Sequence, residues 1–330
     1  MLLASYVLLL ALAIGCVYFG SLASLPHPRN PDGSRSVNDI PDRVTPEDAI
    51  LFPVLGSIVL FALYLLLRYF GPEWINYLLG FYFAIVGVAS VWKVLIAVTR
   101  WAHKETVWNS YREFKTPFFS VNSISVALFP LGAAPSLLYL FYARSAVLTD
   151  ILGISVAIGA LSVLKLDSFR TGTILLTGLF IYDIWWVFGT AWVGTESVMV
   201  KVATGLDVPI KLVVAKSVTE RGYTMLGLGD IVVPGLFCSL ALRYDHHSAR
   251  SPPHTRFAKP YFYTTLAAYL AGLVATVSVM HIMRTGQPAL LYLSPSLICS
   301  FYMCSVLRKE TGAAWGWSDV EEEEESSKRK

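Results

Sequence analysis

The sequence predicts an all-α polytopic membrane protein of nine transmembrane helices. Four observations carry this. Hydrophobic residues make up 55% of the chain, charged residues make up 15%, and mean hydropathy is +0.56, outside the range of ordinary soluble domains. Runs of about 20 apolar residues, the length that crosses roughly 30 Å of hydrocarbon at 1.5 Å per residue, recur almost end to end.

The runs fall near residues 2–25, 50–70, 75–99, 121–142, 145–164, 172–193, 224–242, 261–282 and 287–307. The first lacks a basic leading region and is too long for a cleaved signal peptide, so it reads as a retained span. Between the first two runs, residues 26–49 are polar and proline-rich and read as a loop. Residues 194–223 form the longest loop after the sixth run. Within it, "SVMVKVA" and "PIKLVVA" carry β-branched residues on either side of a Gly205/Asp207 turn and suggest a short hairpin. Residues 308–330 end in "DVEEEEESSKRK", a charge run that reads as a solvated, disordered tail. The chain thus divides into 1–193, 194–223, 224–307 and 308–330.

Lys and Arg set the orientation, because they stay on the cytosolic side of short loops. With the N-terminus outside, the cytosolic segments hold 18 of the 26 and the outside segments 7, with Lys93 left to snorkel from a span end. The count favours N-terminus out and C-terminus in. Cys16, Cys238, Cys299 and Cys304 all lie in apolar runs, so no disulfide framework is implied. A formal charge of +3, with basic residues spread over loops, gives no nucleic-acid footprint.

Two carboxylates stand out. Asp183, in "GLFIYDIWWVFGT", and Asp230, in "TMLGLGDIVVPG", are the ionisable residues nearest the centre of any run. Each costs about 2.5 to 3.5 kcal/mol to insert, so each needs a partner or a purpose. Asp183 lies roughly 16 Å from the cytosolic end of its helix and Asp230 roughly 20 Å from the same side. Adjacent antiparallel helices would bring them face to face. Close carboxyls share a proton, the state in which one can act as base towards water while the other donates to a carbonyl oxygen. That is amide hydrolysis without a metal or a covalent intermediate.

Their surroundings fit a site. Gly227 and Gly229 remove side chains beside Asp230 and weaken a helix there, which would let another backbone come close. Pro234 has no N–H, so the carbonyl of residue 230 loses its helical partner, a break tolerated in membranes only where protein or a wet cavity surrounds it. In "GQPALLYLSP", residues 286–295, Pro288 reads either as a helix-start proline or as part of a break, and Pro295 frees the carbonyl of Leu291. Unpaired backbone there could hold an unwound substrate strand. Tyr182 either positions the Asp183 carboxyl or fills space beside Trp185 and Trp186.

Tyr182-Asp183, Gly227-Leu228-Gly229-Asp230 and Pro288-Ala289-Leu290, in order on the sixth, seventh and ninth runs, resemble the YD, GxGD and PAL motifs of the intramembrane aspartyl proteases. The wider runs resemble the signal peptide peptidase family more than the presenilins. The resemblance implies a presenilin-like fold with a lumenal N-terminus and cytosolic C-terminus, and proteolysis of remnant signal peptides and some type II or tail-anchored segments within the bilayer. It makes Asp183 and Asp230 the catalytic pair, with Tyr182, Gly227, Leu228, Gly229, Gln287, Pro288, Ala289 and Leu290 shaping the site. It implies no cofactor and no metal, and residence in the endoplasmic reticulum membrane. It is compatible with a homo-oligomer or with quality-control partners there. Lys328 matches a dilysine retrieval signal only in part.

The rivals are a proton-coupled transporter using the same carboxylates and a non-proteolytic adaptor. Ser155 in "GISV", with His281 as base, departs from a serine-protease pattern. His246, His247 and His254 cluster beside Asp245 without metal-ligand spacing.

Overall fold

The computed structural model describes residues 2–25, 42–102, 113–115, 120–142, 145–189, 198–206, 208–215, 223–249, 257–283 and 287–319. In chain order these form α1 (Leu2–Ala23), β1 (Asp42–Val44), α2 (Pro46–Phe70), α3 (Pro72–Ala102), β2 (Glu113–Lys115), β3 (Ser120–Asn122), α4 (Ser123–Phe141) and α5 (Ala146–Val163). There follow β4 (Leu164–Leu166), α6 (Phe169–Ile184), α7 (Val198–Gly205), β5 (Lys211–Ala215), β6 (Tyr223–Gly227), α8 (Gly229–Ala249), α9 (Pro260–Met283), α10 (Leu290–Leu307) and α11 (Thr311–Gly316). The chain is predominantly helical rather than all-α. Three two-stranded pairings interrupt it: β1 parallel to β4, β2 antiparallel to β3, and β5 antiparallel to β6.

Local chemistry starts these helices. Thr45 and Asp48 form a reciprocal capping box ahead of Pro46 at the head of α2, and Ser145 and Ser168 cap α5 and α6 through the amides of Leu148 and Thr171. Gly71, at φ 79°, makes the sharp turn from α2 to α3 that a side chain would strain. The head of α9 is capped from another helix, as the Asp245 carboxylate accepts the amides of Tyr261 (3.2 Å) and Phe262 (2.8 Å).

Eight helices are long and apolar enough to cross a membrane: α1 to α6, α9 and α10. The run expected at 224–242 differs. Its first residues form β6, and helix begins only at Gly229. Residues 233–245 of α8 are buried without a break, and α8 packs against α1, α5, α6, α9 and α10. A helix enclosed on all sides has no lipid-facing stripe to keep apolar, so α8 tolerates Arg243 and Asp245. The aromatic rings of Phe169 (α6), Phe237 (α8) and Phe301 (α10) meet at centroid distances of 4.0 to 6.1 Å and lock these three helices together. Gly172 makes room, since a Cβ there would lie 2.8 Å from Phe237 Cδ2.

Two further expectations are corrected. "SVMVKVA" is not a strand: Val198, Val202 and Leu206 recur at helical spacing and bury against Ile75 and Trp186, so α7 forms there. The hairpin exists one strand later. β5, from "PIKLVVA", pairs with Tyr223–Gly227 in a register that sets Lys211 opposite Gly227 and Ala215 opposite Tyr223. The C-terminal segment is also not a solvated tail as far as Asp319. Trp317 packs on Phe169 and Tyr244, Ser318 bonds Asp167 at 2.7 Å, and the Asp319 carboxylate pairs with buried Arg243 and with Arg43 (3.5 Å). Arg243 also donates to the carbonyl of Leu166 (3.1 Å), so α8, β4, the approach to α2 and the C-terminal segment share one ion cluster. A lone buried guanidinium is costly, and the charge run drew attention away from the acid that neutralises it. The charge run itself, from 320 on, lies outside the described residues.

Asp319→Ala strands Arg243 and should cost about 3 to 5 kcal/mol. Arg243→Met combined with Asp319→Leu should recover most of that loss. Thermal unfolding in detergent measures both, and an unchanged midpoint for Asp319→Ala would contradict the cluster's role.

Candidate active site

Three helices meet where the three motifs lie. α6 carries Asp183, α8 carries Asp230 near its first turn, and α10 begins at Leu290; each of the three touches the other two. Asp183 and Asp230 thus lie on helices in direct contact. Asp183 is only 2% exposed, whereas Asp230 is half-buried beside the exposed Gly229. The site therefore opens on the Asp230 side.

The Pro288-Ala289-Leu290 run explains how Asp183 is held. Pro288 stands outside α10, and its carbonyl accepts the amide of Leu291 (3.3 Å), while the Ala289 carbonyl accepts those of Tyr292 and Leu293. The first amides of a helix have no partner within it. That of Leu290 donates to Asp183 Oδ2 at 3.1 Å, so the head of one helix fixes the carboxyl of another. Ala289 and Leu290 are buried here, at 7% and 5% exposure. After Asp183, α6 widens into a π-helical turn over Trp185–Gly189, an irregularity often found at functional sites.

Asp230 is held through its backbone. The carbonyl that Pro234 deprives of a helical partner accepts the hydroxyl of Tyr269 on α9 (3.2 Å), and Tyr269 is fully buried. Gly227 borders the carboxyl itself, since a Cβ there would lie in contact with Asp230 Oδ2 at 3.4 Å. At Gly229 a Cβ would meet no atom within 4 Å. The backbone of β5 comes alongside Gly227, which pairs opposite Lys211, whereas Gly229 borders open space. Leu228 is buried, and its amide donates to the carbonyl of Ile210 (2.9 Å), which carries the β5–β6 ladder to within two residues of Asp230.

Tyr182 turns towards α2. Its ring lies beside Gly56 and Trp186, its hydroxyl makes no hydrogen bond among the described residues, and it lines a cavity of about 220 Å³ with Pro53, Ser57 and Gly178. Ser57 accepts Trp186 Nε1 (3.0 Å) on the same wall. Gln287 directs its amide to Met283 Sδ (3.5 Å), at the end of the preceding helix.

The other candidates do not assemble. Ser155 is buried within α5, while His281 is exposed at the end of α9. His246 and His247 pack their rings against Phe257 and against Tyr244 and Trp317, and His254 lies outside the described residues. Among the described residues no group of three His, Cys, Asp or Glu could hold a metal ion. Sequence reasoning missed Tyr269, for which Pro234 signalled only that some donor was required. It also missed Asp150, an acid in the second turn of the span 145–164, whose carboxylate accepts the amide of Val213 in β5 at 2.7 Å.

Tyr269→Phe removes the donor to the Asp230 carbonyl. It should destabilise the protein by about 1 to 3 kcal/mol, the cost of an unpaired buried polar group. Thermal unfolding of the variant beside wild type checks this, and equal midpoints would show that the carbonyl has another partner.

Comparison with known proteins shows the family. Residues 36–321 match the family model described as signal peptide peptidase. The chain is 35% identical over 319 residues to the signal peptide peptidases of Mus musculus and Homo sapiens, covering 89% of this chain and 78% of each relative. It is 34% identical over 277 residues to a probable intramembrane protease of Schizosaccharomyces pombe, covering 84% of both chains. The fold is similar to that of a presenilin family intramembrane aspartate protease of solved structure, with a TM-score of 0.50 at 18% identity, over 93% of this chain and 99% of that one. The chain belongs to the signal peptide peptidase family.

Proposed function

We propose that this protein is an intramembrane aspartic endopeptidase in which Asp183 and Asp230 are the catalytic pair. The observation that carries the assignment is the seating of Asp183 on the Leu290 amide, which joins the three motif-bearing helices at one carboxyl. One carboxylate takes a proton from water as the water attacks the scissile carbonyl. The other, a protonated carboxyl, donates a hydrogen bond to the carbonyl oxygen, and the amine leaves with a proton from the pair. No covalent intermediate is needed. Water and substrate reach the pair from the open side at Gly229.

The substrate class follows from family membership: remnant signal peptides and other transmembrane segments, type II and tail-anchored ones included. A helical segment hides its carbonyls in hydrogen bonds and must unwind to be cut. β6 offers a partner for the unwound strand. Residues 224, 226 and 228 face β5, so the backbone of Tyr223, Met225 and Gly227 points to the other edge, which leads to Asp230. The Lys and Arg distribution supports a lumenal N-terminus and a cytosolic C-terminus, with α8 as the ninth crossing, packed among α1, α5, α6, α9 and α10. The relatives support residence in the endoplasmic reticulum membrane. The transporter reading gains nothing from family membership.

Asp183→Asn and Asp230→Asn should each lower cleavage of a signal-peptide-like transmembrane substrate in detergent by about 10²- to 10⁴-fold or more. Both variants should stay folded. Cleavage that survives either substitution would remove that residue from the pair.

A further inference from the structure

β5 has two edges, and both are occupied. Leu212 and Val214 face β6, so Val213 and Ala215 direct their backbone groups away from it. On that outer edge the Val213 amide donates to Asp150 Oδ1 on α5 at 2.7 Å, and the Ala215 carbonyl accepts the Ser5 hydroxyl on α1 at 2.7 Å. An edge amide in a membrane protein needs an acceptor, and a carboxylate makes a short, charge-assisted bond. One turn further along the same face of α5 lies Gly153. A Cβ there would sit 3.5 Å from both Leu212 of β5 and Leu228 of the Gly227–Asp230 run. A single face of α5 therefore holds the hairpin by a hydrogen bond at Asp150 and lies in packing distance of Leu212 and Leu228 at Gly153.

We propose that Asp150 is a positioning residue that, through its hold on the Val213 amide, fixes the β5–β6 hairpin and so sets which peptide bond of the substrate reaches the carboxyl pair. This rests on the protease reading above. Asp150 acts through the strand and does not touch the substrate. The hairpin runs into Asp230 through Leu228 and Gly229, so a shift of the hairpin moves the template for an unwound strand relative to the carboxyl. Strand pairing slips in steps of two residues, because a slip of one would turn every side chain to the wrong face. Released from Asp150, the site should admit substrate in registers two residues apart.

The test is the mass of the products from one transmembrane substrate, with kcat and KM, for wild type, Asp150→Ala, Asp150→Asn and Ser5→Ala. Asp150→Ala should lower kcat/KM by about 10- to 100-fold, the usual penalty for misplacing a reacting group. It should also add cuts two residues from the main bond. Asp150→Asn keeps an acceptor oxygen and should restore the single cut and most of the rate. Ser5→Ala should spread the cuts to a lesser degree. A lowered rate for Asp150→Ala with the same single cut would mark a general loss of stability and would also overturn the proposal. If wild type cleaves and Asp150→Ala cuts the same single bond at the same rate, the proposal is overturned. It is overturned equally if Asp150→Asn behaves as Asp150→Ala does. Failure of wild type to cleave at all would instead remove the protease reading.

Discussion

Hydrocarbon offers no hydrogen bonds, and the whole arrangement follows from how this chain meets that constraint where its helices are broken. Catalysis on a peptide bond needs carboxyls and irregular backbone at membrane depth, and two of the irregularities are met by identified partners. The carbonyl freed by Pro234 is taken by Tyr269, and the leading amide of α10 is taken by Asp183. In both cases the group that satisfies the break also orients a catalytic candidate. The site and the repair of the site are the same contacts.

That economy depends on enclosure. α8 sits inside a ring of apolar helices, so its charged and broken portions face protein instead of lipid. The Phe169, Phe237 and Phe301 contact holds α6, α8 and α10 together, and the Arg243 and Asp319 pair ties the far end of α8 to the C-terminal segment. α2 is different: no residue in its most apolar stretch is buried, and it meets the end of α6 through Gly56, Ser57 and Phe61.

Much of this was legible in the sequence, because bilayer thickness imposes a length signal and a carboxylate in an apolar run has few explanations. Eight of the nine runs emerge as helices of spanning length and composition. The ninth misled at its start, where "YTMLG" reads as the head of an apolar helix. Tyr223, Met225 and Gly227 alternate with buried Thr224 and Leu226, a period of two hidden by the apolar character of both faces. The β-branched "SVMVKVA" misled in the opposite sense, since burial at helical spacing overrode local strand preference. Long-range partners were out of reach for a plainer reason. Nothing local marks Tyr269, Asp150 or Asp319 as the partner of a group 39, 63 or 76 residues away.

The central claim is that Asp183 and Asp230 act on one scissile carbonyl. The most direct measurement is a solved structure of the protein bound to a peptide isostere carrying a hydroxyl in place of that carbonyl. The account predicts the hydroxyl within hydrogen-bond distance of both carboxyls, with Asp183 still accepting the Leu290 amide. A hydroxyl bound with either carboxyl out of reach would contradict it.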